Sequence, residues 1–166
     1  IFRRRPRFRG ALQARGAFRT LCTSDPATRR FLADSWASLF EQIPELGGII
    51  AITGGEGFYH CFMRSTTQAA DCPRCGKRHG PEVVAEFVND VARRVRQVQP
   101  EARLVTWPYS AGHWSGDRDQ DDYIAALDPK HVIFQTEIDK DSVDWREAGY
   151  AKDCWDYSMS KVTVSE

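Results

Sequence analysis

Residues 47–75 read GGIIAITGGEGFYHCFMRSTTQAADCPRC. The apolar run Ile49, Ile50, Ala51 and Ile52 reads as a buried strand. It leaves through Thr53-Gly54-Gly55-Glu56-Gly57, whose glycines let the backbone turn sharply and approach a ligand closely. A carboxylate at the carboxyl end of a parallel strand stands where open α/β sheets bind ligands and where barrel enzymes carry their catalytic groups.

Working outward, the flanking segments alternate in type. Ser24-Asp25-Pro26 is a helix start, with an amide-accepting side chain followed by a proline suited to the first helical position. Phe31, Leu32, Trp36, Leu39, Phe40 and Ile43 then follow helical spacing, which predicts a helix over 26–43, ended by Pro44 and Gly47-Gly48. Gly80-Pro81 opens a second helix with an apolar stripe of Val84, Phe87, Val88, Val91, Val95 and Val98, stopped by Pro100. Further strands are expected at 18–22, 102–107, 131–136 and 153–160, with a short helix at 121–127. Such alternation favours parallel strands joined by crossovers. The fold class is therefore α/β: a partial (β/α)8 TIM-barrel segment with parallel strands, or alternatively a small open doubly wound sheet. A complete barrel takes about 250 residues, so on the first reading the 166 residues are a truncated piece and the rest of the barrel is missing from the chain.

Composition agrees with a folded domain: 42% of residues are hydrophobic and 28% charged. No apolar run is long enough to span a membrane, and the start has no apolar signal region. Charge is uneven. Residues 1–30 hold nine arginines against Asp25 alone, and residues 117–166 hold thirteen acids against six bases. Residues 1–18 are read as a basic, extended or disordered leader before a barrel segment at 19–166, and the arginine run as a solvated tail rather than a nucleic-acid arm. The chain begins with Ile, which we read as truncation, so cytoplasmic or exported location stays open.

Chemistry concentrates in two places. If the strands are parallel, their carboxyl ends gather Glu56, Trp107 with Tyr109, Glu137 with Asp139, and Tyr157 on one face. Paired carboxylates among aromatic rings suit glycosidic bond hydrolysis: one acid protonates the leaving oxygen, a second group attacks or stabilises the anomeric carbon, and rings stack on the sugar. Glu56 is the candidate acid and Glu137 or Asp139 its partner; Trp107, Tyr109, His113, Trp114 and Tyr157 are candidate substrate contacts. The competing reading makes Glu56 a solvated turn residue and Glu137 to Asp141 an acidic strand exit. No cofactor is expected for catalysis.

The second place is the loop at 60–79, with His60, Cys61, Cys72, Cys75 and His79 inside twenty residues. Two thiolates two residues apart can face one ion, and a third sulfur and an imidazole would complete a zinc tetrahedron. A disulfide between two of the three, or free thiols, are the alternatives. A zinc with four protein ligands would be structural. Cys22 and Cys154 read as small buried hydrophobes.

Leu21-Cys22-Thr23-Ser24, Asp25-Pro26, Pro44 to Gly48, Ile52-Thr53 followed by Glu56, His60-Cys61, Cys72-Pro73-Arg74-Cys75, the strand bearing Trp107, Glu137 to Lys140, and Tyr157 to Ser160 together resemble a bacterial group of glycoside hydrolase-like proteins related to the β-N-acetylhexosaminidases. The resemblance spans residues 19–160. It implies a (β/α) barrel, a carbohydrate substrate and a general acid at Glu56. In β-N-acetylhexosaminidases an aspartate precedes that glutamate and orients the substrate's acetamido group; here Gly55 stands in its place, leaving room for a protein carboxylate such as Glu137. The alternative function is an inactive carbohydrate-binding or scaffold domain with a structural zinc loop.

Overall fold

The computed structural model describes residues 1–12, 18–54, 59–63, 69–108 and 119–135. A short 3-10 turn at Pro6–Phe8 leads into β1 (Arg9–Leu12), which pairs antiparallel with β2 (Arg19–Leu21). Then come α1 (Pro26–Gln42), β3 (Gly48–Ile52), a 3-10 turn at Cys75–Lys77, α2 (Gly80–Val98), β4 (Arg103–Trp107), α3 (Asp119–Ala126) and β5 (Val132–Phe134). β3, β4 and β5 form a parallel sheet in that spatial order. The chain thus has a mixed α/β fold. The expected last strand at 153–160 lies outside the described residues.

Local chemistry sets the element ends. Asp25 caps α1: its Oδ1 accepts from the amides of Ala27 at 3.1 Å and Thr28 at 3.2 Å, with Pro26 in the first turn. Ile43, placed before Pro44, leaves the helical region at φ −131°, as the proline ring requires. On α2, Val84, Phe87, Val88, Val91 and Val95 of the stripe that its spacing predicts are buried and Val98 is half-buried, with Val83 and Ala92 buried beside them. Full burial of each large member contributes roughly 1.5–3 kcal/mol relative to exposure, far more than the exposed ion pair Arg94–Asp34 that also ties α2 to α1.

Register decides which sheet residues meet the helices. Ile49, Leu104 and Val132 lie in one row, and Ala51, Thr106 and Phe134 in the next. Leu104, Val132 and Phe134 of these rows join the core with Phe87, Tyr123 and Ile124, and Ile49 packs against it. Thr106 Oγ1 bonds both Thr53 Oγ1 and the Tyr123 hydroxyl, satisfying the polar atoms buried there. The alternate residues Ile50, Ile52, Val105, Trp107 and Ile133 form the second face; it too is apolar, with Ile50 59% exposed. Strands β3 and β4 approach closely because Gly48 lacks a side chain: a Cβ there would run into the Arg103 carbonyl oxygen.

Two expectations need correction. The segment at 18–22 is a strand, but it pairs with β1 in a separate antiparallel ribbon and does not join the parallel sheet. Consequently the basic start is not a loose leader over residues 1–12. Phe8 is buried against Phe31, Arg5 lies over both rings, and Arg7 pairs with Asp25 at 3.2 Å. A cation on an aromatic face and an ion pair to a buried carboxylate give the arginines folded partners. Among the described residues, no helix is long and apolar enough to cross a membrane.

Candidate metal centre

Four cysteines from three parts of the chain meet under the β1–β2 ribbon. Cys22 follows β2, Cys61 lies in the turn after β3, and Cys72 precedes, and Cys75 opens, the 3-10 turn that leads into α2. All four side chains are fully buried, carry no disulfide, and place their sulfurs within 4.8 Å of one another. Cys22 Sγ lies 3.5 Å from Cys72 Sγ and 3.7 Å from Cys75 Sγ. A tetrahedral zinc with Zn–S bonds of about 2.3 Å needs sulfurs roughly 3.8 Å apart. The donor set and its spacing therefore fit one such ion.

The backbone is shaped around these sulfurs. The amide of Ala11 donates to Cys61 Sγ at 3.2 Å, as does the Thr20 hydroxyl at 3.4 Å. The Cys75 amide faces Cys72 Sγ at 3.5 Å, and the Cys75 thiol donates to Ser24 Oγ at 3.2 Å. Arg74, between the last two cysteines, donates from Nε to Cys22 Sγ at 3.1 Å. Gly10 permits the approach of β1, since a Cβ there would come to 2.6 Å from Cys61 Sγ. Protons are shared unevenly among the thiols. Cys22 is pulled down to about 6, first by its hydrogen bond with Cys61 and further by Cys75 and Arg74, and Cys72 is held low chiefly by Cys22. Cys61 and Cys75 are pushed up, each first of all by Cys22.

Of the five metal ligands expected from sequence, Cys61, Cys72 and Cys75 are brought together, whereas His60 and His79 are not in the cluster. His60 is fully buried with both ring nitrogens engaged: Nε2 meets the Thr53 carbonyl at 2.9 Å, and Nδ1 accepts from the Phe62 amide at 3.1 Å. Burial pulls its pKa down to about 4, so it is neutral and structural. His79 stands before α2 with Nε2 3.8 Å from Asp122. The fourth sulfur is Cys22, which sequence reasoning placed among core hydrophobes. Its signal was available, since Leu21-Cys22 ends an expected strand that leads straight into a helix, and a three-cysteine loop leaves one tetrahedral position that a distant sulfur can fill as well as a nearby imidazole.

Of the candidate sugar-site residues, Trp107 is described: it closes β4, half-buried, and its carbonyl accepts from the Thr53 amide at 2.9 Å. Glu56, Tyr109, His113, Trp114, Glu137, Asp139 and Tyr157 lie outside the described residues, as does Cys154. An open groove of about 410 Å³ runs along β3; among the described residues it is lined by Trp36, Leu39, Ile49, Ile50, Ala51, Ile52 and Tyr59.

No protein-family model matches the chain, and no curated protein or solved structure is similar enough to count as a match.

Proposed function

We propose that Cys22, Cys61, Cys72 and Cys75 hold one zinc ion as a structural centre, which fastens the β1–β2 ribbon and the turn after β3 to the entry of α2. The observation that carries this reading is the gathering of four buried sulfurs, from three separate stretches, within 4.8 Å. Four protein ligands fill a zinc tetrahedron and leave no position for water or substrate, so the centre stabilises and does not catalyse. Metal binding of this kind contributes directly to folding. The test compares metal content in the reduced full chain, its Cys22→Ser variant and its His79→Ala variant. One zinc per chain in the wild type and His79→Ala, with loss in Cys22→Ser, is expected. Full retention of zinc affinity by Cys22→Ser would refute the ligand set.

A second reading, glycoside hydrolysis, is favoured by the parallel sheet. β3, β4 and β5 run the same way, so Thr53, Trp107 and Gln135 leave it at a shared edge. Glu56 follows Thr53 by three residues and Glu137 follows Gln135 by two. The apolar second face of the sheet suits a strand turned towards a barrel interior. On this reading the chain is a segment of a (β/α) barrel related to the β-N-acetylhexosaminidases, with Glu56 as general acid and Glu137 or Asp139 as the second carboxylate. The zinc centre then braces the loop that follows Glu56. Glu56→Gln in the full reading frame should abolish most hydrolysis of aryl glycosides; unchanged turnover would sink the assignment, and sugar binding without turnover in the parent protein would favour a binding domain.

A further inference from the structure

We infer that Arg74 is the charge-compensating, positioning residue of the thiolate centre, holding the Cys22 sulfur and the start of β1 with one guanidinium. This inference rests on the zinc reading. Four thiolates around a divalent ion leave a net charge of −2, and buried charge is costly unless paired and hydrogen-bonded. Among the described residues, Arg74 is the basic side chain that hydrogen-bonds a cluster sulfur, through Nε to Cys22 Sγ at 3.1 Å. The neighbouring cations are committed elsewhere: Arg78 forks onto Glu86, and Arg29 bonds Asp90 and the Thr23 carbonyl. The other donors to sulfur, the amides of Ala11 and Cys75 and the Thr20 hydroxyl, are neutral.

The same guanidinium reaches outward. Its Nη2 donates to the carbonyl oxygens of Arg7 and Arg9, which bracket the entry to β1. One rigid fork thus couples the charge of the centre to the strand whose Ala11 amide donates to Cys61. A lysine ammonium, compact and without the planar fork, keeps the charge but cannot span sulfur and both carbonyls in the same way. Outer partners of this kind orient ligands and tune the metal, and losing one typically costs 10–100-fold in metal affinity.

The test uses the reduced, zinc-loaded full chain with Arg74→Met and Arg74→Lys. Zinc affinity is read by competition with a chromogenic chelator, and the ligand field by the sulfur-to-cobalt charge-transfer band after cobalt substitution. Arg74→Met is expected to bind one zinc roughly 10–100-fold more weakly, with the cobalt band shifted to lower energy because the sulfur has lost a charged donor. Arg74→Lys should recover part of the affinity, and it carries the comparison if the Met variant does not fold. Wild-type affinity and an unmoved cobalt band in either variant would overturn the role of Arg74 while leaving the zinc centre standing. A wild-type chain that binds no zinc would overturn both. A lowered melting temperature with an unchanged band would mark Arg74 as merely structural and likewise overturn the inference.

Discussion

Adding a single methyl group at Gly10 should weaken the metal centre although Gly10 supplies no ligand. A Cβ built there stands 2.6 Å from both Cys61 Sγ and Thr20 Oγ1 and 2.9 Å from the backbone carbon of Leu21. Comfortable carbon contacts lie at about 3.5–4.0 Å, so β1 must retreat by roughly 1 Å or push Cys61 out of place. None of the three neighbours is the free end of a long side chain, and Leu21 presents main chain, so little can rotate aside. Overpacking of this kind costs about 1–3 kcal/mol. The opposing gain from stiffening the unfolded chain, about 0.4–1 kcal/mol for Gly→Ala, is smaller, so the net sign is destabilising. If the strain is felt in the metal-bound state, it corresponds to roughly 5- to 150-fold in zinc affinity. For a chain of this size each kcal/mol moves the melting temperature by roughly 2–4 °C. Chelator competition and thermal unfolding of zinc-loaded Gly10→Ala provide the measurements. Zinc affinity and Tm equal to or above wild type would refute the claim that β1 packs against Cys61.

Two further perturbations follow from buried groups. Asp25→Ala removes the acceptor for two amides at the start of α1 and the partner of Arg7; a loss of about 1 kcal/mol is expected, read as a lower denaturant midpoint at unchanged m-value, and an unmoved midpoint would count against the cap. His60 is held neutral, pulled from 6.5 down to about 4 by burial. A depressed folded value means its stabilising share is fully present above pH 6.5 and is lost as pH falls towards 4. The full loss is roughly 3 kcal/mol at 1.36 kcal/mol per pH unit. Wild type and His60→Gln carry the same five cysteines, so the difference between their stability–pH curves isolates the imidazole; parallel curves between pH 6.5 and 4 would contradict its burial as a neutral ring.

The helices and the parallel strands were legible because their signals are local. The Asp25-Pro26 start, the valine stripe of α2, the apolar run at 49–52 and the strand at 102–107 need no distant partner to be read. The ribbon was not, because the pairing of β1 with β2 depends on contacts that no periodicity encodes: Phe8 under Phe31, and Gly10 against Cys61. The metal centre was half legible. Cys72 and Cys75 announce themselves by spacing, and Cys61 by proximity in sequence. Cys22, separated from Cys61 by a whole helix and strand, joins them only once β2 is folded beside the turn after β3. Adjacent histidines were the tempting alternative, yet the His60 ring is turned to the Thr53 carbonyl, where it satisfies a buried acceptor at 2.9 Å.

X-ray absorption at the zinc edge of the reduced, freshly purified chain tests the central claim most directly. Four sulfur neighbours at about 2.3 Å, one zinc per chain, is the expected result. An imidazole nitrogen in the first shell, or protein free of zinc, would contradict the tetrathiolate of Cys22, Cys61, Cys72 and Cys75.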